Sequence, residues 1–453
     1  MPRPSPRLES PIGLPVKGIA AALLAIASPL GICQSSLPDA TAVAAEAGIM
    51  QGFPPPPDKQ LPRGGGMRPP FMHWSLSHAR ETSPTAGVRH AGQPLPLPAA
   101  RTMVPDDLGM QIDGRPLRLS EYLRGTHTDA YLVLYRGQIV YEHYRGDMDR
   151  HQPHIWASMT KSVTGLLAAM LIDEGRLDPA APLSRYVPEL AGNPFGDATV
   201  QQNLDMEVPV AYPAALPPDL GLFGAVGIVP RKADAPDNIY DFLKVVQPAG
   251  HAAGPVWYYQ NGSAEAVAWA LRRIAGQRWV QLVSERLWSR MADDDGYVSV
   301  DRQGTEMASG GFNSTLRDAA RFGEAVRRAM AGDRWGPISP AVARIVFRPA
   351  TNQAGFARGS LAAGRDGYGY RDYWYQCNDG EGSVEASGRF GQRIYINPRR
   401  ELTVVKFASS PDDAVRPVSA EGVQGGRPVR SLESSAVFGA VARAIHGHLQ
   451  SQE

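Results

Sequence analysis

Ser158, Met159, Thr160 and Lys161 spell S-x-x-K at the head of an apolar run. A serine hydroxyl is a poor nucleophile near neutral pH and needs a base within hydrogen-bond reach. Residues three apart on a helix are surface neighbours, so the spacing presents the Lys161 amine to the Ser158 hydroxyl. Lysine serves as such a base when burial or a nearby cation lowers its pKa. A helix start also sets the Ser158 N–H at the positive end of the helix dipole, where a developing oxyanion is stabilised. Of the lysines (Lys17, Lys59, Lys161, Lys232, Lys244, Lys406), only Lys161 has a serine three residues before it. The same four residues also fit a serine-capped helix with a solvated lysine, so further partners have to decide between the readings.

Two downstream segments supply those partners. Tyr258-Tyr259-Gln260-Asn261 stands about a hundred residues later, just before a helical pattern that ends in Gly276, and Ala386-Ser387-Gly388-Arg389-Phe390-Gly391-Gln392 reads as a strand entering a turn. With S-x-x-K, these ordered motifs resemble the penicillin-recognising serine hydrolases. Within them the chain is most similar to the branch holding class C β-lactamases, D-aminopeptidase-like esterases and 6-aminohexanoate-dimer hydrolase. Tyr259-x-Asn261 takes the place of the family's Tyr-x-Asn or Tyr-x-Ser motif, and A-x-G-x-x-G-Q stands where β-lactamases carry Lys-Thr-Gly. The proline-rich arm running into Phe71–Trp74 and the segment Ser314–Gly323 also match that branch.

The resemblance implies a β-lactamase/transpeptidase-like α/β (α+β) fold, an antiparallel sheet flanked by helices with a mostly helical insertion. It implies Ser158 as nucleophile, Lys161 and Tyr259 as the proton-transferring pair, and the backbone N–H groups of Ser158 and Arg389 as the oxyanion hole. Asn261 would orient substrate or Lys161, Gly388 would let the strand approach the substrate, and the Arg389 side chain would face solvent. The reaction implied is two-step acyl transfer on a small-molecule amide or ester, with no metal or other cofactor. A β-lactamase or D-Ala-D-Ala-type peptidase is the alternative activity, set back by Ala386 where that motif carries its lysine; a low-turnover penicillin-binding receptor is a third reading. The segment after Asn203-Leu204-Asp205-Met206 departs from the branch with Glu207-Val208-Pro209-Val210 and the apolar run Leu220–Val229.

Several elements must position these residues. Ala130–Tyr144 reads as a β-hairpin turning at Arg136-Gly137-Gln138, with Gly137 supplying a left-handed conformation. Ser158–Glu174 has Val163, Leu166, Leu167, Met170 and Leu171 at helical spacing and a terminating Gly175. Helices are also predicted over 263–275, over 316–330 behind Ser314-Thr315, and over 432–449; 393–407 reads as two strands around Asn397-Pro398-Arg399-Arg400. The stretch 193–254 is poor in periodicity and predicts a long irregular excursion with one short helix near 239–246. Tyr368, Tyr370, Tyr373 and Trp374 are expected to build strand surface first and pocket wall second.

The 453 residues are 43% hydrophobic and 20% charged, an ordinary globular balance that can bury a large core. The organisation expected is a leader over 1–47, a proline-rich arm over 48–100 that packs through Phe71-Met72-His73-Trp74, and the hydrolase domain over 101–450 with its helical part at about 155–310. Lys+Arg 46 against Asp+Glu 45 gives a net charge of +1, which leaves no general basic field for nucleic acid or an anionic membrane. Arg3, Arg7 and Lys17 precede the uncharged apolar stretch Gly18–Cys33, too short to span a bilayer, and read as an export signal to the periplasm or medium. Cleavage would follow Ala25-Ile26-Ala27 or Ala42-Val43-Ala44; a lipid on Cys33 and a proline-broken buried helix are the other readings of this segment. Cys377 has no histidine near it in sequence and reads as a packed apolar side chain.

Overall fold

The computed structural model describes residues 45–453 apart from 215, 217, 251–252, 255, 360, 412–421 and 425–426. Residues 1–44, which hold Cys33 and both candidate cleavage sequences, lie outside the described residues. In chain order the site is framed by helix α1 (Met72–Ser77), strand β1 (Thr85–Val88), the hairpin β2 (Thr128–Tyr135) and β3 (Gln138–Tyr144), strand β4 (His154–Ile155), and helix α2 (Thr160–Asp173). Then come α3 (Asn261–Ala275), β5 (Gly296–Ser299), β6 (Phe312–Ser314), α4 (Leu316–Met330), β7 (Gly369–Arg371), β8 (Trp374–Gln376), β9 (Val384–Gly388), β10 (Gln392–Asn397), β11 (Leu402–Ala408) and α5 (Ser435–Gln452).

The main sheet runs β7-β8-β9-β10-β11-β2-β3, antiparallel throughout, so the N-terminal hairpin closes against strands from the last third of the chain. The turn of that hairpin has both Arg136 (φ 54°) and Gly137 (φ 78°) in the left-handed region, the geometry a two-residue connection between right-twisted strands requires. Helix α4 covers one face. Its Gly323 approaches the sheet so closely that a Cβ there would press on Thr403 and Ile394, which explains a glycine in mid-helix. Helix α5 begins at Ser435 behind the N-cap Ser434, three residues later than predicted, and its Phe438 packs with Tyr131, Val404 and Tyr395 in a second apolar cluster. Helices with the sheet between them follow from strands that are apolar on both faces.

Helix α2 runs through the main core. Every residue from Thr160 to Leu171 is buried, so the expected apolar face is in fact a helix buried all round. Its polar residues are satisfied internally: Thr160 Oγ1 donates to the Ala157 carbonyl, Ser162 Oγ to that of Tyr373, and Thr164 Oγ1 to that of Ala308. Gly175 (φ 69°) ends it in the left-handed cap the sequence predicts.

Two expectations need correcting. The stretch 193–254 is mostly non-helical and carries the expected short helix at Ile239–Lys244, but it also holds three unpredicted helices at Pro194–Asp197, Val200–Leu204 and Pro218–Val226. Short helices with Pro and Gly at their ends lack the several turns that periodicity needs, and Asn193, Thr199 and Asn238 cap them through side-chain oxygens. The arm is likewise more than an extended strap: it forms α1, and β1 enters a separate sheet of order β1-β5-β6-β4 that the sequence did not announce. Cys377 is buried in the second cluster, and burial pushes its thiol pKa up, as suits an inert side chain.

Candidate active site

The nucleophile candidate sits on a tight turn. Strand β4 pairs with β6, and the Trp156 N–H continues the ladder by donating to the Phe312 carbonyl (2.8 Å). The Trp156 indole is fully buried among Trp288, Phe312 and Phe322, and its Nε1 donates to Ser314 Oγ (2.9 Å). Ala157 then adopts φ 45°, which costs a non-glycine residue on the order of 1 kcal/mol. A 3-10 turn, Ala157–Met159, leads into α2. Ser158 therefore stands half-exposed at the helix entrance while Met159 behind it is buried, and its N–H falls where helical N–H groups have no intrahelical acceptor.

Lys161 is 1% exposed, which rules out the solvated-lysine reading of the motif. Its Nζ lies 3.0 Å from Ser158 Oγ, 2.7 Å from Asn261 Oδ1 and 2.7 Å from the Ser309 carbonyl. The last two partners only accept. A neutral amine has two N–H bonds; given to Asn261 and Ser309, they leave its lone pair directed at the Ser158 hydroxyl, while an ammonium would donate to all three. Either state is satisfied in place, so a proton can move between oxygen and nitrogen without rearrangement.

Behind this triangle stands Glu265, fully buried on α3 one turn after Asn261, whose carboxylate accepts from the Ser309 N–H (2.8 Å) and the Ala308 N–H (3.2 Å). Burial raises its pKa, opposed by the Ser309 contact, Arg272 and Lys161. Sequence reasoning passed over Glu265 and Ser309. No local sequence pattern marks either residue, because Glu265 holds the backbone of a distant segment.

Tyr259 approaches from the other side, its ring centroid 5.0 Å from Lys161 Nζ, against Trp257 (5.5 Å) and Tyr370 (6.3 Å). Gln260 holds the segment extended: its side chain donates to the Val208 carbonyl and Ser263 Oγ and accepts from Tyr212 OH (3.0 Å). The Tyr258 N–H donates to the Met206 carbonyl (2.6 Å), and the Tyr373 N–H to that of Leu204, so residues 204–206, just before the divergent segment, prop both Tyr259 and the β7–β8 turn. A cleft of about 450 Å³ opens beside Tyr259, walled by Val210, Tyr212, Val256, Tyr258 and Arg358. Tyr370 packs against Tyr259, but the tyrosines and tryptophan of β7 and β8 are otherwise core, and the cleft walls come from other segments.

Strand β9 completes the site. Residues 386–388 pair with β10 but lie beyond the β8 ladder, which leaves their other edge open. Gly388 has ordinary extended angles (φ −132°, ψ 157°); what demands glycine is that a Cβ would overlap the Trp156 carbonyl oxygen and crowd Ala157. The close approach is thus to the backbone leading into Ser158, not to substrate as expected. Arg389 follows in a turn whose next residue, Phe390, is left-handed (φ 67°), and its guanidinium lies over the Phe390 ring (5.0 Å), half-buried instead of solvent-facing. Among the described residues no group of His, Cys, Asp and Glu side chains is arranged to hold a metal ion.

A serine in contact with a buried lysine at the mouth of a core helix, packed on a seven-stranded antiparallel sheet, fits the serine hydrolases of β-lactamase fold. The chain is a member of the β-lactamase family, whose profile matches residues 119–423. It is 30% identical over 360 residues to 6-aminohexanoate-dimer hydrolase of Paenarthrobacter ureafaciens, covering 77% of this chain and 88% of that one. A solved Bacillus anthracis structure, provisionally assigned as a 6-aminohexanoate-dimer hydrolase, superposes with a TM-score of 0.72 at 30% identity, over 85% of this chain and 96% of its own. A Bacteroides dorei structure provisionally assigned as a β-lactamase shares the fold at 14% identity (TM-score 0.52, 72% and 96% coverage).

Proposed function

We propose that the protein hydrolyses amide or ester bonds of small substrates through an acyl-enzyme on Ser158. The observation that carries the reading is the contact of a fully buried Lys161 amine with the Ser158 hydroxyl, its other two partners being obligate acceptors. Ser158 Oγ attacks the carbonyl carbon as its proton passes to the Lys161/Tyr259 pair. The tetrahedral oxyanion is held by the N–H groups of Ser158 and Arg389. Tyr259 returns the proton to the leaving amine or alkoxide, the C–N or C–O bond breaks, and water repeats the sequence to free Ser158.

For substrate class, the likeness to 6-aminohexanoate-dimer hydrolase favours linear amides, and a cleft beside Tyr259 has room for a chain on the leaving-group side. Export is proposed from the basic and apolar composition of 1–33, checked by fractionating cells that express the full chain. The activity is tested by intact-mass analysis after mixing the protein with an activated short-chain ester, a 6-aminohexanoate dimer and a penicillin in parallel. A mass gain equal to the acyl portion, absent in Ser158→Ala, is expected with the ester and the dimer. No adduct and no turnover with any of the three would sink the proposal.

A further inference from the structure

Through one short helix the N-terminal arm reaches Phe390, next to Arg389, and a carboxylate network that ends at His154, four residues before Ser158. On one side of α1, Met72 and Leu76 are each 2% exposed and form a small cluster with Phe390, also 2% exposed, that excludes the main core. Phe390 is the left-handed residue directly after Arg389, and Ser410 holds its carbonyl (N–H to O, 3.1 Å). A backbone in that conformation persists only where its surroundings impose it, and here two arm side chains anchor the ring.

On the other side, His73 Nδ1 lies 2.6 Å from Asp129 Oδ1, and His73 Nε2 lies 3.0 Å from Asp147. The second oxygen of Asp129 meets His154 Nε2 (3.3 Å), and His154 is the strand residue four before Ser158. Arg145 and Ser409 Oγ also reach Asp129, and Arg145 pairs with Glu46, just before the arm. The Gln152 amide donates to the Ser77 carbonyl at the helix end (2.8 Å). Nothing in the mechanism uses any of these groups.

We propose that α1 is a positioning element of the active site: Met72, Leu76 and His73 set the Arg389 N–H relative to the Ser158 N–H. The inference rests on the reading of those two groups as the oxyanion hole. An interaction realised only in the transition state changes kcat and leaves KM nearly alone. Small displacements of such donors cost between about tenfold and about a hundredfold.

The test compares full-length Leu76→Ala, Phe390→Ala, their double mutant, the milder Leu76→Val and the refilled Leu76→Met. Val88→Ala, at a fully buried arm residue on β1 that belongs to the main core and not to the Met72–Leu76–Phe390 cluster, is the control. Turnover of an activated ester, acylation of Ser158 by mass, and Tm are read for each. Leu76→Ala and Phe390→Ala should each lower kcat by about tenfold or more with KM within about threefold. The double mutant should be little worse than the more damaged single, since the two side chains act through each other, and Leu76→Met should recover most of the rate. Val88→Ala should lower Tm with wild-type kcat, and Leu76→Val decides the matter if Leu76→Ala does not fold. Wild-type kcat in the Leu76 variants, or the same kcat loss in Val88→Ala, overturns the inference while wild-type acylation of Ser158 still upholds the mechanism. A wild-type protein that never acylates Ser158 overturns the mechanism and the inference with it.

Discussion

Around Ser158 and Lys161 each neighbour is held more than once; around Tyr259 the walls are half-open. Trp156 is anchored by its backbone, its indole N–H and three aromatic rings, and Lys161 by Ser158 Oγ and by two further oxygens that belong to α3 and to a segment held by Glu265. Tyr212, Val256 and Tyr258 on the opposite side are only partly buried and come from connecting segments that belong to no long helix or strand. The difference separates two jobs. The buried side sets which bond chemistry is available, because proton transfer and oxyanion binding tolerate little displacement. The open side sets what enters, and loops there can vary without disturbing the core.

Substitutions that break the buried side should therefore cost most. Lys161→Ala removes the base and leaves Asn261 Oδ1 and the Ser309 carbonyl without their N–H donor; kcat/KM for an activated ester should fall by about 10³-fold or more, with a lower Tm. Activity within about tenfold of wild type would make Lys161 a structural residue. Gly388→Ala forces β9 away from the Trp156 carbonyl and shifts one oxyanion donor, so kcat should fall by about a hundredfold in steady-state assays.

At the boundary between the two sides, Tyr259→Phe should slow amide cleavage by about a hundredfold but activated-ester cleavage by less than about tenfold, because only the poor leaving group needs the proton. Equal losses would remove Tyr259 from that role. On the open side, Val210→Ala should change relative kcat/KM among leaving-group chain lengths by no more than about tenfold and leave the Ser158 adduct unchanged. A collapse of activity there would erase the distinction drawn between the two walls.

The smallest effect concerns stability and the arm. Burial disfavours the charged His73 ring, but Asp129 and Asp147 outweigh it and raise the pKa to about 10 from an ordinary 6.5, while Arg145 opposes them. Asp129 is held below the usual carboxylate range by His73 and His154 despite burial. The raised His73 pKa stabilises the fold fully below about 6.5 and loses that contribution as pH climbs through about 10. Thermal melts should show Tm falling across that interval, and His73→Gln should flatten the slope; an unchanged slope would assign it to other groups.

The buried side was also the legible one. S-x-x-K, Tyr259-x-Asn261 and the Gly388-Arg389 strand are short local patterns on elements whose periodicity is plain, and α2, the hairpin and the paired strands follow the predicted spans closely. Glu265 escaped notice because its function is to hold the backbone of a segment more than forty residues away, which no local pattern encodes. The reason for Gly388 was misread because close backbone approach has the same sequence signature whether the neighbour is substrate or Trp156. The helices of 194–226 and strand β1 were missed because they are too short for periodicity and are stabilised by what they pack on.

The claim that Ser158 and Lys161 are nucleophile and base is tested most directly by acid-quenching the protein during turnover of an activated ester and locating the acyl group by peptide mapping. The account predicts one acyl group per chain on the peptide bearing Ser158, none in Ser158→Ala, and formation slowed by about 10³-fold in Lys161→Ala. An acyl group on another residue, or one formed at the wild-type rate without Lys161, would contradict it.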